Sequence, residues 1–326
     1  MEQRLILATD HGVEVYRRAG EGWQPSAAGL RDRQVTSVIA REGTILAGTR
    51  AGVFRSDDGG ETWEEASKGL DIRYVRWLAY HPAISDREFA GTEPAGIFIS
   101  YDGAATWRAC PEVEALRDRY GWWLPYSPRA GCIRGFAFHG QRGYAAVETG
   151  GVLRSDDGGK TWRLTGGSGE NPHNDDPPPP RIHPDVHSIE VHPSSPDLVF
   201  APTGGGFYRS VDGGASWEPL YADCYARAVW LDPNDPDHLI LGPASGVDRN
   251  GRIEETRDGG RSWHDASAGL DTPWRRHMVE RFLQIGDELL AVLSNGRLIA
   301  APLATLEWRP LLPEAQGVHA AAVLEV

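Results

Sequence analysis

The residues best able to do chemistry occupy one equivalent position in seven apolar segments. The segments are QVTSVIA, YVRWLAY, CIRGFAF, DVHSIEV, YARAVWL, VERFLQI and GVHAAAV. Their alignment places at one level Thr36, Arg76, Arg134, His187, Arg227, Glu280 and His319. Three arginines at one level favour an anion site, and a carboxylate fits best because guanidinium binds it in a bidentate way. We expect a small anionic or sugar-like ligand, with the binding residues Arg76, Arg134, Arg227, Glu280 and His319.

Two alternatives stay open for this level of residues. The arginines can pair with acids between neighbouring units, in which case they stabilise the fold. A slip of one residue in register would turn every side chain to the other face of its strand. The anion site therefore depends on the direction in which these side chains point.

Two glutamates interrupt a recurrent hydroxyl at the end of the second strand of each unit. The hydroxyls belong to Thr9, Thr49, Thr92, Thr203 and Ser294. The fourth unit has Glu148 at this place, and Glu93 directly follows the third of these threonines. We expect both glutamates to reach the mouth of the axial channel, near the arginines, and to act there as acid and base, with His187 as a proton carrier. If each instead lies against Arg76 or Arg134, both stay ionised and the pairs are structural.

A divalent metal ion is an option at the same place. His183, His187 and His192 are close in sequence, and with Glu148 and His319 they supply enough imidazole and carboxylate for such an ion. Residues 187 and 192 face opposite sides of a strand, so we interpret His192 as a turn residue. The sequence establishes no cofactor, and the metal-ligand candidates are His187, His319 and Glu148.

Composition and missing motifs exclude several functions. The 326 residues carry a net charge of −13, which argues against a nucleic-acid or anionic-membrane partner. No GxSxG, Walker-type loop, HExxH or CxxC occurs, so serine-hydrolase, nucleotide and zincin functions have no motif. The first ten residues lack a basic segment followed by a long apolar run, so they do not resemble a signal peptide. The three cysteines, Cys110, Cys132 and Cys224, are an odd number, which argues against a disulfide framework. We expect a cytoplasmic location.

One octet pattern occurs five times. The copies are SDDGGETW (56–63), SYDGAATW (100–107), SDDGGKTW (155–162), SVDGGASW (210–217) and TRDGGRSW (256–263). The aspartates can accept hydrogen bonds from turn amides, and the second glycine, which Ala104 replaces in the second copy, suits a positive φ. We interpret the aspartates as turn residues, and we expect each closing tryptophan to begin a strand and to pack between neighbouring sheets.

Seven units account for residues 1–326, which we expect to form one domain. Two degenerate copies of the octet, around Trp23 and Trp308, bring the five clear copies to seven. The spacings between successive tryptophans are 40, 44, 55, 55, 46 and 45 residues. Between octets, period-2 segments predict four antiparallel strands a unit. The chain begins with a second strand, RLILATD, and ends with an innermost strand, GVHAAAVLEV. Pairing the two closes an all-β, seven-bladed β-propeller and removes an exposed sheet edge.

The octet resembles the Asp-box (BNR) repeat of sialidases, xyloglucan-degrading glycosidases, sortilin-type receptors and a photosystem II assembly factor. The resemblance implies a propeller of the sialidase and YCF48-like superfamily, with Asp-boxes on the face away from the active site. Sialidases hold a substrate carboxylate with three arginines and use a Tyr/Glu nucleophile. Arg76, Arg134 and Arg227 look like such a triad, with Tyr225 nearby. Sialidases have six blades and a Phe/Tyr-Arg-Ile-Pro signature, which differ from this chain, and the assembly factor resembles it in blade count.

Two long insertions, residues 112–131 and 166–184, separate the last strand of one unit from the first strand of the next. We expect them to form a raised wall on one side of the axial opening, the first with a short helix. Tyr120, Trp122, Trp123 and Tyr126 form an aromatic cluster in the first insertion. We expect Trp122 and Trp123 to stack on a ligand; the alternative is that the aromatics form the loop's own core.

The leading hypothesis is therefore a glycosidase-like hydrolase with a small-molecule site at the axial mouth. The alternative is a non-catalytic scaffold that binds a protein or peptide with the same face, anchored by the aromatic loop 120–126. A deep pocket in which acids and arginines converge favours the first, and a flat mouth with exposed aromatics favours the second.

Overall fold

The backbone forms seven four-stranded antiparallel sheets in a ring. The computed structural model describes residues 3–20, 22–124, 131–168 and 181–325. The all-β, seven-bladed propeller predicted from the repeats is confirmed. None of the helices in these residues is long and apolar enough to cross a bilayer.

The blades are numbered in chain order, and the strands of each run from the axis outward. The strands are, in blade 1, β1 (Gln3–Thr9), β2 (Gly12–Ala19) and β3 (Gly22–Gly29); in blade 2, β4 (Val35–Arg41), β5 (Thr44–Thr49), β6 (Gly52–Ser56) and β7 (Glu64–Glu65); in blade 3, β8 (Val75–Tyr80), β9 (Glu88–Thr92), β10 (Ile97–Ser100) and β11 (Arg108–Ala109); in blade 4, β12 (Cys132–His139), β13 (Arg142–Glu148), β14 (Gly151–Ser155) and β15 (Arg163–Leu164); in blade 5, β16 (Glu190–Val191), β17 (Val199–Thr203), β18 (Gly206–Ser210) and β19 (Glu218–Ala222); in blade 6, β20 (Tyr225–Asp232), β21 (Asp235–Ala244), β22 (Glu254–Thr256) and β23 (His264–Asp265); in blade 7, β24 (Val279–Ile285), β25 (Glu288–Leu293), β26 (Leu298–Pro302) and β27 (Arg309–Leu311); and, as the innermost strand of blade 1, β28 (Val318–Glu325).

The two ends of the chain close the ring. Strand β28 pairs with β1 over seven residue pairs, from Gln3 with Glu325 to Thr9 with Val318. This confirms the predicted pairing of the C-terminal strand with the N-terminal blade. The pairing gives blade 1 its innermost strand, so the first and last segments hold the ring together without a free inner edge.

The Asp-box aspartates close the turns between the third and fourth strands. In blade 2, Asp58 accepts hydrogen bonds from the Ser56 hydroxyl (2.8 Å), from the Thr62 hydroxyl (2.5 Å) and from the amides of Glu61 and Thr62. These bonds, the Thr62 hydroxyl first, lower the pKa of Asp58 to about 2. The hydroxyl-to-aspartate bond recurs in the other four boxes. The interpretation of these acids as turn residues is confirmed.

The tryptophans after the boxes pack between blades. Trp107, in blade 3, is 3% exposed, and its indole nitrogen donates to the Ala66 oxygen of blade 2 (2.8 Å). Trp308 does the same to Ala266, one blade earlier, at 2.8 Å. These two indoles pack between blades, as predicted, and satisfy their donors at the blade boundary.

The first insertion forms a helix, α1 (Pro111–Tyr120), that folds back on blades 3 and 4. Val113 is its buried residue, and Gly121 ends it with a left-handed φ of 61°. Trp122, which follows directly, is 2% exposed and packs in the core cluster with Val113 and Cys110. Most of the second insertion, like residues 125–130 with Tyr126, lies outside the described residues.

Candidate functional site

The propeller opens at one end of its axis into a cavity of about 1000 Å³. Its walls come from the starts of the inner strands and from the turns between second and third strands, for example Arg50 after β5 and Thr149 after β13. The Asp-boxes connect third strands to fourth strands and therefore lie at the other end of the blades. The cavity is on the face away from the Asp-boxes.

All seven residues that the sequence alignment placed at one level line this cavity. They are Thr36, Arg76, Arg134, His187, Arg227, Glu280 and His319. We call them the ring residues.

A β-bulge in each inner strand explains why the ring residues point at the axis. In blade 2, Val35 pairs with Thr49 and Ser37 with Gly48, so Thr36 is the extra residue. The same shift skips the ring residue in blades 1, 3, 4, 6 and 7. In blade 5 three residues, beginning with His187, face two between the paired positions. A bulge re-aims one side chain and bends its strand, which removes the ambiguity of register left by the sequence.

The ring arginines are paired with carboxylates. Arg76 lies 3.1 Å from Glu93, and Arg134 lies 3.6 Å from both Glu148 and Glu280. Arg227 forms an ion pair with Glu280 as well. The sequence left this pairing open as an alternative to a free arginine triad, and the geometry is that of the paired arrangement.

Glu280 is the shared partner of two ring arginines. Its side chain is 19% exposed, and its two oxygens face Arg134 and Arg227 separately. Burial alone would raise the pKa of Glu280, but the guanidinium groups of Arg227 and Arg134 outweigh it and lower the pKa. Glu280 therefore occupies, as an internal carboxylate, the place between arginines that an anionic ligand would seek.

The two glutamates proposed as acid and base do not occupy equivalent positions. Glu148 is 8% exposed and lines the cavity, whereas Glu93 is absent from the lining residues and lies against Arg76. Burial raises the pKa of Glu148, but the charges of Arg134 and His187 lower it overall. The Cys132 thiol also donates to Glu148 (3.3 Å). The expectation that Glu93 reaches the cavity beside Glu148 is corrected: its pairing with Arg76 holds it outside the lining.

Arg281 closes the cavity from below and was missed by the sequence analysis. Burial and the neighbouring Arg134 lower its pKa to about 9. It stands over the ring of Trp77, 4.4 Å from its centroid. Its terminal nitrogens donate to the main-chain oxygens of Arg134 (2.9 Å), His187 (3.3 Å), Arg227 (3.3 Å) and Glu280 (2.7 Å). One guanidinium thus contacts residues of five blades at the axis.

Arg50 is a second residue that the alignment did not find. It is exposed at the rim, its Nε donates to Gln34 (2.8 Å), and its guanidinium lies 4.8 Å from the ring centroid of Tyr74. Among the described residues it has no carboxylate within ion-pair distance. The signal in the sequence was its place directly after Thr49, where the chain leaves the second strand for the cavity face.

Glu148, Asp185 and His187 come together at one wall. One ligand atom from each lies within 4.8 Å of the others. His319 is elsewhere in the cavity, where its Nε2 lies 2.8 Å from Asp10. His192 is buried and bonded to the Asp232 oxygen (2.8 Å), which agrees with its interpretation as a turn residue. Asp185 was not among the sequence candidates because no other aligned segment has an acid at the place where Asp185 opens DVHSIEV.

The aromatic candidates divide between core and cavity. Trp122 is buried in the core under α1, so the expectation that it stacks on a ligand is corrected. Trp123 is 36% exposed and lines the cavity. Tyr225 also lines it and packs on His187, with ring centroids 4.8 Å apart. Burial raises the pKa of Tyr225 to about 12.

Comparison with known repeats agrees with this geometry. The family described as BNR/Asp-box repeat matches residues 54–65 and 153–164, which hold the first and third boxes. The chain is a seven-bladed β-propeller with BNR/Asp-box repeats. No curated protein matches its sequence.

Solved propeller structures are similar in fold. An ancestral GH74 enzyme has a TM-score of 0.63 at 18% identity over 90% of this chain, which spans 38% of that enzyme. YCF48 from Cyanidioschyzon merolae has a TM-score of 0.62 at 13% identity, over 92% of this chain and 96% of its own. A YCF48 bound to D1 peptide has a TM-score of 0.58 at 15% identity, over 87% of this chain and 83% of its own. At these identities the likeness shows the shared fold.

Proposed function

We propose that the axial cavity of this Asp-box propeller binds a small anionic ligand, such as a sugar acid. The observation that carries the proposal is the convergence of the seven ring residues on one cavity of about 1000 Å³. This volume suits a small molecule, since ligand pockets range from about 300 to 1,000 Å³. The similar structures include both a GH74 enzyme and a peptide-bound YCF48, so the shared fold does not distinguish a small ligand from a peptide. The support for a small ligand comes from the cavity.

The charges at the cavity favour an anion. The described lining residues include five arginines, Arg50, Arg76, Arg134, Arg227 and Arg281, and three carboxylates, Glu148, Asp185 and Glu280. With the acids that pair with lining arginines, Glu93 beside Arg76 and Asp248 beside Arg227, the balance is 5 − 5 = 0, in a chain with a net charge of −13. A neutral site that holds five guanidinium groups repels an incoming anion less than the acidic protein as a whole does.

Arg50 is the arginine best placed to meet the ligand first. It lies at the rim, and it has no carboxylate partner among the described residues that it would have to release before it binds the ligand's carboxylate. Tyr74 beneath it fixes the plane of the guanidinium. We propose that Arg50 and Arg76 bind the ligand's carboxylate and that Trp123 packs on its apolar face.

Binding of sugar acids tests this proposal. Glucuronate, galacturonate and N-acetylneuraminate should raise the melting temperature of the full chain, by about 4 °C at a hundredfold excess over Kd. Glucose and galactose, which lack the carboxylate, are the matched neutral probes and should give no shift. Arg50→Gln should weaken binding about tenfold.

Arg309→Gln is the control for this substitution. Arg309 is a 59% exposed arginine on the outermost strand β27, paired with Glu288, and its loss should leave sugar-acid binding unchanged. If no sugar acid binds at about 10 mM, a concentration at which even weak ligands of about −3 kcal/mol register, the proposal is wrong.

Hydrolysis of the bound ligand, in the manner of a glycosidase, stays a prediction. A general acid needs a raised pKa, whereas the pKa of Glu148 is lowered by Arg134. Glu148 is therefore suited to accept a proton or to hold a cation. Release of reducing sugar from a glucuronide by the wild type, lost in a Glu148→Gln variant that circular dichroism shows to be folded, would establish turnover.

Peptide binding on the same face is the second candidate. Trp123 supports it, since an exposed aromatic at the rim is a common anchor, and a structurally similar YCF48 has been solved with a peptide. Burial of Trp122 removes half of the predicted tryptophan pair. Trp123→Ala should abolish peptide capture while it weakens sugar-acid binding only slightly, which separates the two candidates.

A further inference from the structure

Three side chains from neighbouring blades put oxygen and nitrogen donors around one point of the cavity wall. Glu148 ends β13 of blade 4, and His187 is the ring residue of blade 5. Asp185 lies two residues before His187, and one donor atom from each of the three lies within 4.8 Å of the others. Two carboxylates and an imidazole form a donor set for a divalent transition metal.

His187 supplies an independent reason to expect a ligand there. Its side chain is 2% exposed, and neither Nδ1 nor Nε2 makes a hydrogen bond within the described part of the chain, although Nε2 lies 3.4 Å from Asp185 Oδ2. A buried polar group without a partner costs about 1 to 3 kcal/mol. Asp185 Oδ1 is buried without a partner as well. A bound ion would satisfy both groups.

The spacing fits a small ion with little adjustment. Two ligands of a tetrahedral zinc ion, each about 2.1 Å from the metal, lie about 3.4 Å apart. His187 Nε2 and Asp185 Oδ2 are already 3.4 Å apart. Glu148 must approach by at most about 1.4 Å to complete the set.

The environment of Glu148 leaves it able to bind an ion. Its Oε2 faces Arg134 at 3.6 Å and the Cys132 thiol at 3.3 Å, so its carboxylate is held at the cavity wall beside the other two donors. Both neighbours hold the carboxylate, Arg134 by an ion pair and Cys132 as a hydrogen-bond donor. A ligating carboxylate held by such hydrogen bonds is oriented by its surroundings.

We infer that Glu148, Asp185 and His187 bind a divalent transition metal ion of the zinc type at the cavity wall, with the remaining coordination position facing the cavity. This inference does not rest on the proposed anion binding, although a metal here would add positive charge to the same cavity. The site differs from the ligand set expected from the sequence, because His319 is bonded to Asp10 elsewhere and Asp185 takes its place.

Direct metal binding to the purified full chain tests the inference. Zn²⁺ titrated calorimetrically should bind at one equivalent, and Co²⁺ at the same site should give visible d–d absorption bands. Asp185→Asn and His187→Gln should each weaken Zn²⁺ binding at least tenfold and remove the Co²⁺ bands. His319→Gln, a histidine paired with an aspartate in the same cavity, is the matched control and should bind Zn²⁺ like the wild type.

Circular dichroism and melting curves show whether each variant is folded. Asp185 is 26% exposed, so Asp185→Asn is the variant that should fold, and it carries the test if His187→Gln does not. Mg²⁺ and Ca²⁺, which prefer all-oxygen ligands, should bind more weakly than Zn²⁺. Absence of Zn²⁺ binding in the wild type, undiminished binding in Asp185→Asn, or equal affinity for Mg²⁺ would overturn the inference.

Discussion

Glu280→Gln should lower the stability of the propeller and, at the same time, strengthen its binding of sugar acids. Glu280 lies between Arg134 and Arg227 with its side chain 19% exposed. Breaking a buried ion pair by removing one partner costs about 3 to 5 kcal/mol. Arg134 keeps Glu148 as a partner, so we expect about 3 kcal/mol, the lower end of this range.

The gain in binding follows from the charge that is removed. Two carboxylates about 6 Å apart repel each other by about 2.8 kcal/mol at an effective dielectric constant of about 20. The open mouth admits solvent, which reduces this value by about half, to about 1.4 kcal/mol or a tenfold lower Kd. A substitution that destabilises the fold but tightens binding is difficult to explain unless the ligand's carboxylate binds close enough to Glu280 to be repelled by it.

The pH dependence has a defined sign. The pKa of Glu280 in the folded chain is lowered from its usual 4.5, so its stabilising effect is complete above about pH 4.5 and disappears as the pH falls through the lowered value. The stability difference between wild type and Glu280→Gln should therefore shrink below about pH 4. Urea unfolding at pH 7 and at pH 3.5 measures it, with calorimetry for the sugar acid at pH 7.

Glu288→Gln provides the matched control. Glu288 also bridges two arginines, Arg18 at 3.3 Å and Arg309 at 2.7 Å, but it lies outside the cavity. Its loss should reduce stability by less and leave the Kd for the sugar acid unchanged. If Glu280→Gln weakens the sugar acid's binding, or if both variants change it equally, the reasoning about the ring is refuted.

Two further predictions concern the fold that carries the ring. Gly159→Ala should destabilise the chain by about 2 to 4 kcal/mol, because a Cβ at this residue, whose φ is 84°, would lie 2.3 Å from the Phe89 ring. Gly140→Ala is the control and should cost only about 1 kcal/mol, because Gly140 has a φ of 57° but open space around its Cβ. Equal losses of stability in urea unfolding would argue against the clash with Phe89. Arg281→Met should cost about 2 kcal/mol, because four main-chain oxygens at the axis lose a charged donor; an unchanged unfolding midpoint would show that Arg281 does not tie the blades together.

The sequence was informative where it repeats. The octets with Asp58 and its equivalents predict turns because a carboxylate two residues after a hydroxyl can collect the turn amides, and this chemistry is local. The tryptophan spacing predicts the blade count because each tryptophan belongs to the repeated turn of one blade. The equivalent position of Arg76, Arg134 and Arg227 was also readable, because a bulge recurs at that place in each inner strand.

The sequence was less informative where one unit departs from the others. Arg281 occupies the position after the ring residue, where Ser37 and Ala228 stand in other blades, and only the curvature of the ring brings a long side chain there to the axis. Arg50 stands outside the aligned segments, and Asp185 opens one of them at a place where no other segment has an acid, so the alignment singled out neither residue. Trp122 was assigned to a ligand because an aromatic in a loop has no period that distinguishes a surface from a small core.

A crystal structure of the protein soaked with glucuronate locates the anion site directly. One glucuronate is expected in the axial cavity, with its carboxylate within about 3 Å of the guanidinium of Arg50 or Arg76, the range of a charge-assisted hydrogen bond. The proposed anion site is wrong if glucuronate binds on the Asp-box face or along an outer strand, or if the axial cavity stays without it at saturating concentration.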